Sequence, residues 1–118
     1  MIYGIGTDLV DLERIKHWLD EKHVTRILSL DEVEVIHSMT SIERKLTFIG
    51  GRFAAKEAIF KAISHGDGKT NFKDITILND LHGKPYVKTH PFGQELQFQV
   101  SISHTEKQAI AFVICERL

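Results

Sequence analysis

Ile42-Glu-Arg44-Lys-Leu46-Thr47-Phe-Ile49-Gly50-Gly51-Arg52-Phe53-Ala54-Ala55-Lys56-Glu57-Ala58-Ile59-Phe60-Lys61-Ala62-Ile63 is the longest periodic stretch of this 118-residue chain. Leu46, Ile49, Phe53, Ile59, Phe60 and Ile63 recur at helical spacing, which predicts a buried central helix with Ser41 as its N-cap. Gly50-Gly51 in its middle costs ~1 kcal/mol per glycine relative to alanine. The pair therefore implies close approach by another backbone or by a ligand.

Upstream of that helix, residues 2–10 read as a glycine-containing strand ending near Asp8. A helix follows over 11–22, with Leu12, Ile15 and Leu19 at helical spacing and Asp11 as N-cap. Ser29-Leu-Asp-Glu32 has the form of a capping box before a short helix over 31–38. Downstream, 64–71 is a polar loop. Strands are expected over 72–79 and 85–89, joined through Asn79-Asp-Leu-His-Gly83 as a hairpin. A final pair spans 96–103 and 108–115; the last strand is apolar on both faces, so it belongs in the middle of its sheet. The expected fold is α+β, one domain over residues 1–118, with the long helix packed on a mostly antiparallel sheet.

Composition narrows the function classes. Fifteen basic and sixteen acidic residues nearly balance, which argues against a general nucleic-acid binder. No run of ~18 apolar residues is present to span a membrane. The opening Met-Ile-Tyr-Gly lacks the basic and apolar regions of a secretory signal, so a cytoplasmic location is expected. Cys115, the only cysteine, has no partner for an intramolecular disulfide. A domain this small leaves much apolar surface uncovered, and oligomerisation is the natural remedy.

Three clusters carry candidate chemistry. Asp8 follows Gly6-Thr7 at a strand end, where a carboxylate faces a cleft or simply caps a turn. Glu57 and Lys61 stand four residues apart on one helix face, either as a surface ion pair worth ~0.3–0.5 kcal/mol or as site residues. The alanines at 54, 55 and 58 place these charges near packed structure. His104, in Ser101-Ile-Ser-His104-Thr105, is a phosphate donor, an acid or base, or only the end of a strand. If the clusters converge, Asp8 and Glu57 suit magnesium, which binds through one or two carboxylates and leaves positions for water and phosphate oxygens. Lys61, Arg52 and His104 would then neutralise the phosphates. Spacing takes the reading as far as magnesium-dependent phosphoryl chemistry.

A resemblance sharpens it. Gly4-Ile-Gly-Thr-Asp8-Leu-Val-Asp-Leu-Glu-Arg14-Ile is similar to the opening of the holo-acyl carrier protein synthases, and the segment from Arg44 to Ala62 resembles their central helix. Gly83-Lys-Pro85 and Ser101-Ile-Ser-His104-Thr105 recur in the expected order, so the resemblance spans the chain. It implies transfer of 4′-phosphopantetheine from coenzyme A to a serine of apo-acyl carrier protein in fatty acid biosynthesis, releasing adenosine 3′,5′-bisphosphate. Asp8 and Glu57 would hold magnesium against the pyrophosphate, and Glu57 would help take the serine proton, directly or through water. Lys61 would stabilise the pyrophosphate and serve the leaving phosphate. His104 would contact the coenzyme phosphates, with Arg44 and Arg52 at the 3′-phosphate. A homotrimer with the coenzyme site between subunits is implied as well. The resemblance puts the carrier protein on the first helix, at Arg14 and Trp18; for Trp18, core packing stands as an equal reading.

The chain departs from the family pattern at Ser64-His65-Gly66, where Gly-Thr-Gly is usual, and at Asp67, Thr47 and Gly50. These departures bear on the nucleotide end of the site. Two rivals stay open: a magnesium-dependent nucleotide pyrophosphatase or phosphodiesterase, and a carrier-binding module without transfer activity.

Overall fold

A computed structural model describes residues 1–64 and 69–118. The chain runs β1 (Ile2–Asp11), α1 (Leu12–Lys16), α2 (Glu21–Ile27), α3 (Leu30–His37), α4 (Ile42–Ala62), β2 (Thr76–Asn79), β3 (Pro85–Thr89), β4 (Leu96–His104) and β5 (Gln108–Arg117), with one 3-10 turn at Phe72–Asp74. The fold is α+β, with α4 laid across an antiparallel sheet. That sheet has the order β1-β5-β4, so the last strand is central, as its two apolar faces require. β2 and β3 form a separate antiparallel ribbon.

Local chemistry explains where each helix starts. Ser41 accepts from Arg44 N at 3.2 Å and opens α4. Ser29 and Glu32 form the capping box of α3 in both directions. The single helix expected over 11–22 is instead two short ones. Asp20 accepts from His23 N at 2.8 Å and starts α2 afresh, which a helix running through that point would forbid. Asp11 is the residue before α1 but makes no side-chain cap; its carboxylate accepts from Gln108 Nε2 at 3.0 Å. The strand expected from 72 begins only at Thr76, because Asn71 and Asp74 close the turn ahead of it. At the hairpin, Asp80 Oδ1 accepts from the amides of His82 and Lys84, and Gly83 takes φ +83.

The core lies between α4 and the inner sheet face. Ala54, Ala58 and Ile59 of the helix are fully buried there with Ala109, Ala111 and Val113 of β5. The two central helix glycines are explained by side chains rather than by backbone or ligand. A Cβ at Gly50 would collide with Leu12 Cδ2, and one at Gly51 would stand 3.1 Å from Ile102 Cγ2. No helix among the described residues is long and apolar enough to cross a membrane.

Candidate active site

Side chains alternate along β1, so Gly4, Gly6, Asp8 and Val10 share the face turned to α4. A Cβ on Gly6 would strike the Ala58 carbonyl oxygen, and one on Gly4 the Ala62 carbonyl oxygen. With hydrogen in those places, β1 lies against the C-terminal half of α4, and Asp8 comes to rest beside Glu57 and Lys61. Lys61 Nζ donates to Asp8 Oδ1 at 3.1 Å and to Thr7 O at 3.0 Å. Glu57 is half-buried. Its pKa is raised first by burial and then by the negative charge of Asp8, while Lys61 and Arg14 pull it down.

Arg14 joins this group because α1 starts directly after β1. Its guanidinium carbon lies 4.9 Å from the centre of the Trp18 ring and 5.9 Å from that of Phe53. Trp18 meets Phe53 edge-on at 5.2 Å and stacks on His23 at 6.4 Å. It is therefore half-buried, with one flank in the core and the other beside Arg14.

Arg44, Arg52 and His104 gather elsewhere. Arg44 precedes Glu57 by 13 residues on one continuous helix, about 20 Å along its axis. His104, at the end of β4, lines with Arg44 and Thr47 a cavity of ≈ 620 Å³ that also includes Leu12 and Leu46. The same three residues line an adjoining cavity of ≈ 300 Å³ with Arg52, Asn79 and Pro85. Neither cavity includes Asp8, Glu57 or Lys61. Within one copy, Asp8, Glu57 and Lys61 thus stand toward the C-terminal end of α4, apart from Arg44 and His104 near its N-terminal end, with Arg52 between them.

Arg52 does not lie loose at the edge of its cavity. It is buried; Nε donates to Ile77 O at 2.9 Å, Nη2 donates to Asn79 Oδ1 at 3.0 Å, and the group lies over Phe48 at 4.2 Å. Burial lowers its pKa to about 10, with Glu32 opposing the shift, so it stays charged at neutral pH. Thr47 brings a hydroxyl to both cavities, and that hydroxyl donates to Glu43 O and Arg44 O; Glu43 and Glu106 also line the larger one. The departures at His65, Gly66 and Asp67 lie outside the described residues.

Sequence reasoning missed a fully buried ion pair. Lys56 and Glu32 are both fully buried, with Nζ 2.5 Å from Oε1. Glu32 was legible only as a capping residue, and no local spacing ties it to a lysine 24 positions on. Asn79, read as a turn residue, holds Arg52. Among the described residues, no three or more His, Cys, Asp or Glu side chains cluster as a closed metal cage. Asp8 and Glu57 are instead two hard carboxylates of the kind that a magnesium ion takes alongside water and substrate oxygens, with Asp8 Oδ1 held by Lys61.

The class this architecture defines emerges from comparison. The family model of the 4′-phosphopantetheinyl transferase superfamily matches residues 4–113. The chain is 49% identical to the holo-[acyl-carrier-protein] synthase of Geobacillus sp. (strain WCH70), over 100% of this chain and 99% of that protein. It is 44% identical to that of Acholeplasma laidlawii, over 98% of each. The crystal structure of a holo-(acyl-carrier-protein) synthase from Bacillus anthracis in complex with CoA (3′,5′-ADP) superposes with a TM-score of 0.90 at 39% identity, covering 100% of this chain and 99% of that one. The chain belongs to the holo-[acyl-carrier-protein] synthase family of that superfamily.

Proposed function

We infer that this protein transfers 4′-phosphopantetheine from coenzyme A to a serine of apo-acyl carrier protein, releasing adenosine 3′,5′-bisphosphate. Family membership supports the reaction, as does the coenzyme bound to the Bacillus anthracis relative. The observation that carries the assignment to residues is the meeting of Asp8, Glu57 and Lys61 across β1 and α4.

Phosphoryl transfer of this kind asks for positioning and charge neutralisation more than for covalent chemistry. Asp8 and Glu57 would hold a magnesium ion, which when bound supplies a Lewis acid and a template for the pyrophosphate. Lys61, already within reach of Asp8, sits where a negative leaving group needs a cation. Glu57 is the acceptor for the serine proton, directly or through one water. Arg14 and the open flank of Trp18 form the basic and aromatic surface for the acidic carrier protein.

Arg44, Arg52 and His104 are assigned to the coenzyme phosphates. Their separation from Asp8 within one chain favours a site shared by neighbouring copies. The outer sheet face supports self-association: Tyr3, Ile5 and Leu9 of β1 and Ile110 and Phe112 of β5 are exposed side by side, with Ile5 60% exposed. A homotrimer built on this face brings Arg44 and His104 of one copy to Asp8 and Glu57 of the next.

Intact-mass measurement of apo-carrier protein tests the reading. The carrier should gain the mass of phosphopantetheine only with coenzyme A and magnesium both present. Nucleotide cleavage with an unmodified carrier would support a hydrolase instead, and carrier binding without modification would support a non-catalytic module.

A further inference from the structure

The buried pair Lys56–Glu32 lies outside both groups of site residues yet joins the elements that carry them. Successive helix residues point about 100° apart, so Lys56 enters the interior while its neighbour Glu57 turns to the cleft. Lys56 Nζ donates to Ile27 O at 2.8 Å, at the end of α2, and to Glu32 Oε1. Glu32 Oε1 also accepts from Ser29 N, and Oε2 from Ile77 N, each at 2.8 Å. Ile77 then closes the circuit, since its carbonyl takes Nε of Arg52. The network binds α2, α3, α4 and β2, and it ends on an arginine lining the smaller cavity with Arg44 and His104.

Stability alone is a poor account of it. Replacing a buried ion pair by apolar groups of similar volume is often neutral or stabilising. The charge count points elsewhere. One carboxylate faces two cations, Lys56 and Arg52, and acts on both. Exposed Asp74 adds attraction for Lys56 only. Glu32 touches Lys56 directly and reaches Arg52 only at a distance, so one negative charge is set against two positive ones. Arg52 is left with an excess positive charge at the cavity wall, which is what an anionic ligand requires.

We propose that Lys56 and Glu32 are positioning residues for Arg52: they hold the β2 segment that orients its guanidinium, and Lys56 keeps Glu32 from neutralising it, so the cavity retains positive charge for a coenzyme A phosphate. The proposal rests on assigning that cavity to the coenzyme. It implies a non-additive pair. Lys56→Met alone leaves the Glu32 charge to act on Arg52 and withdraws attraction from the cavity. Glu32→Gln added to it removes that charge while keeping the shape.

The test is calorimetric titration of the full-length protein with coenzyme A, paired with the Michaelis constant for carrier protein. K56M should weaken coenzyme A binding about tenfold, less than the loss of a direct charge pair costs because the effect passes through Glu32, with the carrier constant within about twofold of wild type. The double variant E32Q/K56M should return coenzyme affinity to within about threefold, a rescue that only coupling explains. Lys56→Gln, which keeps a donor near Ile27, carries the same expectation should K56M not fold. Equal weakening in single and double variants, unchanged coenzyme affinity in K56M, or failure of all three to fold would each overturn the proposal. A wild-type protein that does not bind coenzyme A would overturn the coenzyme assignment itself, and this inference with it.

Discussion

Glu57 stands under opposed influences. Burial and Asp8 disfavour its charge, while Lys61 and Arg14 favour it, and the first pair prevails. The linkage has a definite sign. A carboxyl whose folded pKa is raised makes the native state relatively more stable at low pH, and that advantage is lost as pH rises through the folded value. A neutral amide does not ionise, so Glu57→Gln should melt higher than wild type near pH 7.5 in metal-free buffer, and the gain should vanish at pH 3. The same variant should lose roughly 10²–10³-fold in transfer rate, measured by intact mass of the carrier. An unfolded variant, or one with normal turnover, would remove Glu57 from its role. At this scale the sequence was legible where a residue's neighbours lie on its own element or in a recurring motif: Asp8, Glu57 and Lys61 were all named from it. The partners of Arg52 were not legible, because Ile77 and Asn79 stand 25 and 27 positions away.

Between elements, the decisive contact is bare backbone against bare backbone. β1 can approach α4 only because positions 4 and 6 carry no Cβ. Gly6→Ala should lower stability by about 1–3 kcal/mol or more, because a carbonyl oxygen in mid-helix cannot rotate aside as a side chain can. It should also reduce transfer by separating Asp8 from Glu57. Thermal melts and the carrier assay on one sample check both; a variant that keeps wild-type melting and rate would show the approach to be loose. In the sequence, glycines within this strand meant either a close backbone approach or a bulge, and nothing local could decide between them. The long periodicity of α4 and the apolar β5 were easy to read, since both are local patterns that tertiary packing reinforces. The break between α1 and α2 was hidden because Leu12, Ile15 and Leu19 kept helical spacing across it, while Asp20 had already opened the next helix.

At the scale of the whole molecule, one copy keeps Asp8 and Glu57 apart from Arg44 and His104 along α4 and leaves an apolar sheet face open. If neighbouring copies share each site, Glu57→Gln and His104→Ala damage different halves. Each pure variant should be nearly inactive, and mixing them under conditions of subunit exchange should restore a substantial fraction of the wild-type rate. No recovery would place a complete site within a single chain. An assembly of copies lies beyond the reach of periodicity and spacing, which describe one chain at a time; the small size of the domain and the family resemblance were what pointed to one. The claim beneath all of this is that Asp8 and Glu57 jointly hold one divalent cation. Manganese binding followed by electron paramagnetic resonance, with coenzyme A present, tests it most directly: wild type should bind one ion per chain at the site, and Asp8→Asn and Glu57→Gln should each weaken it at least about tenfold while remaining folded. Undiminished manganese affinity in both folded variants would contradict the account.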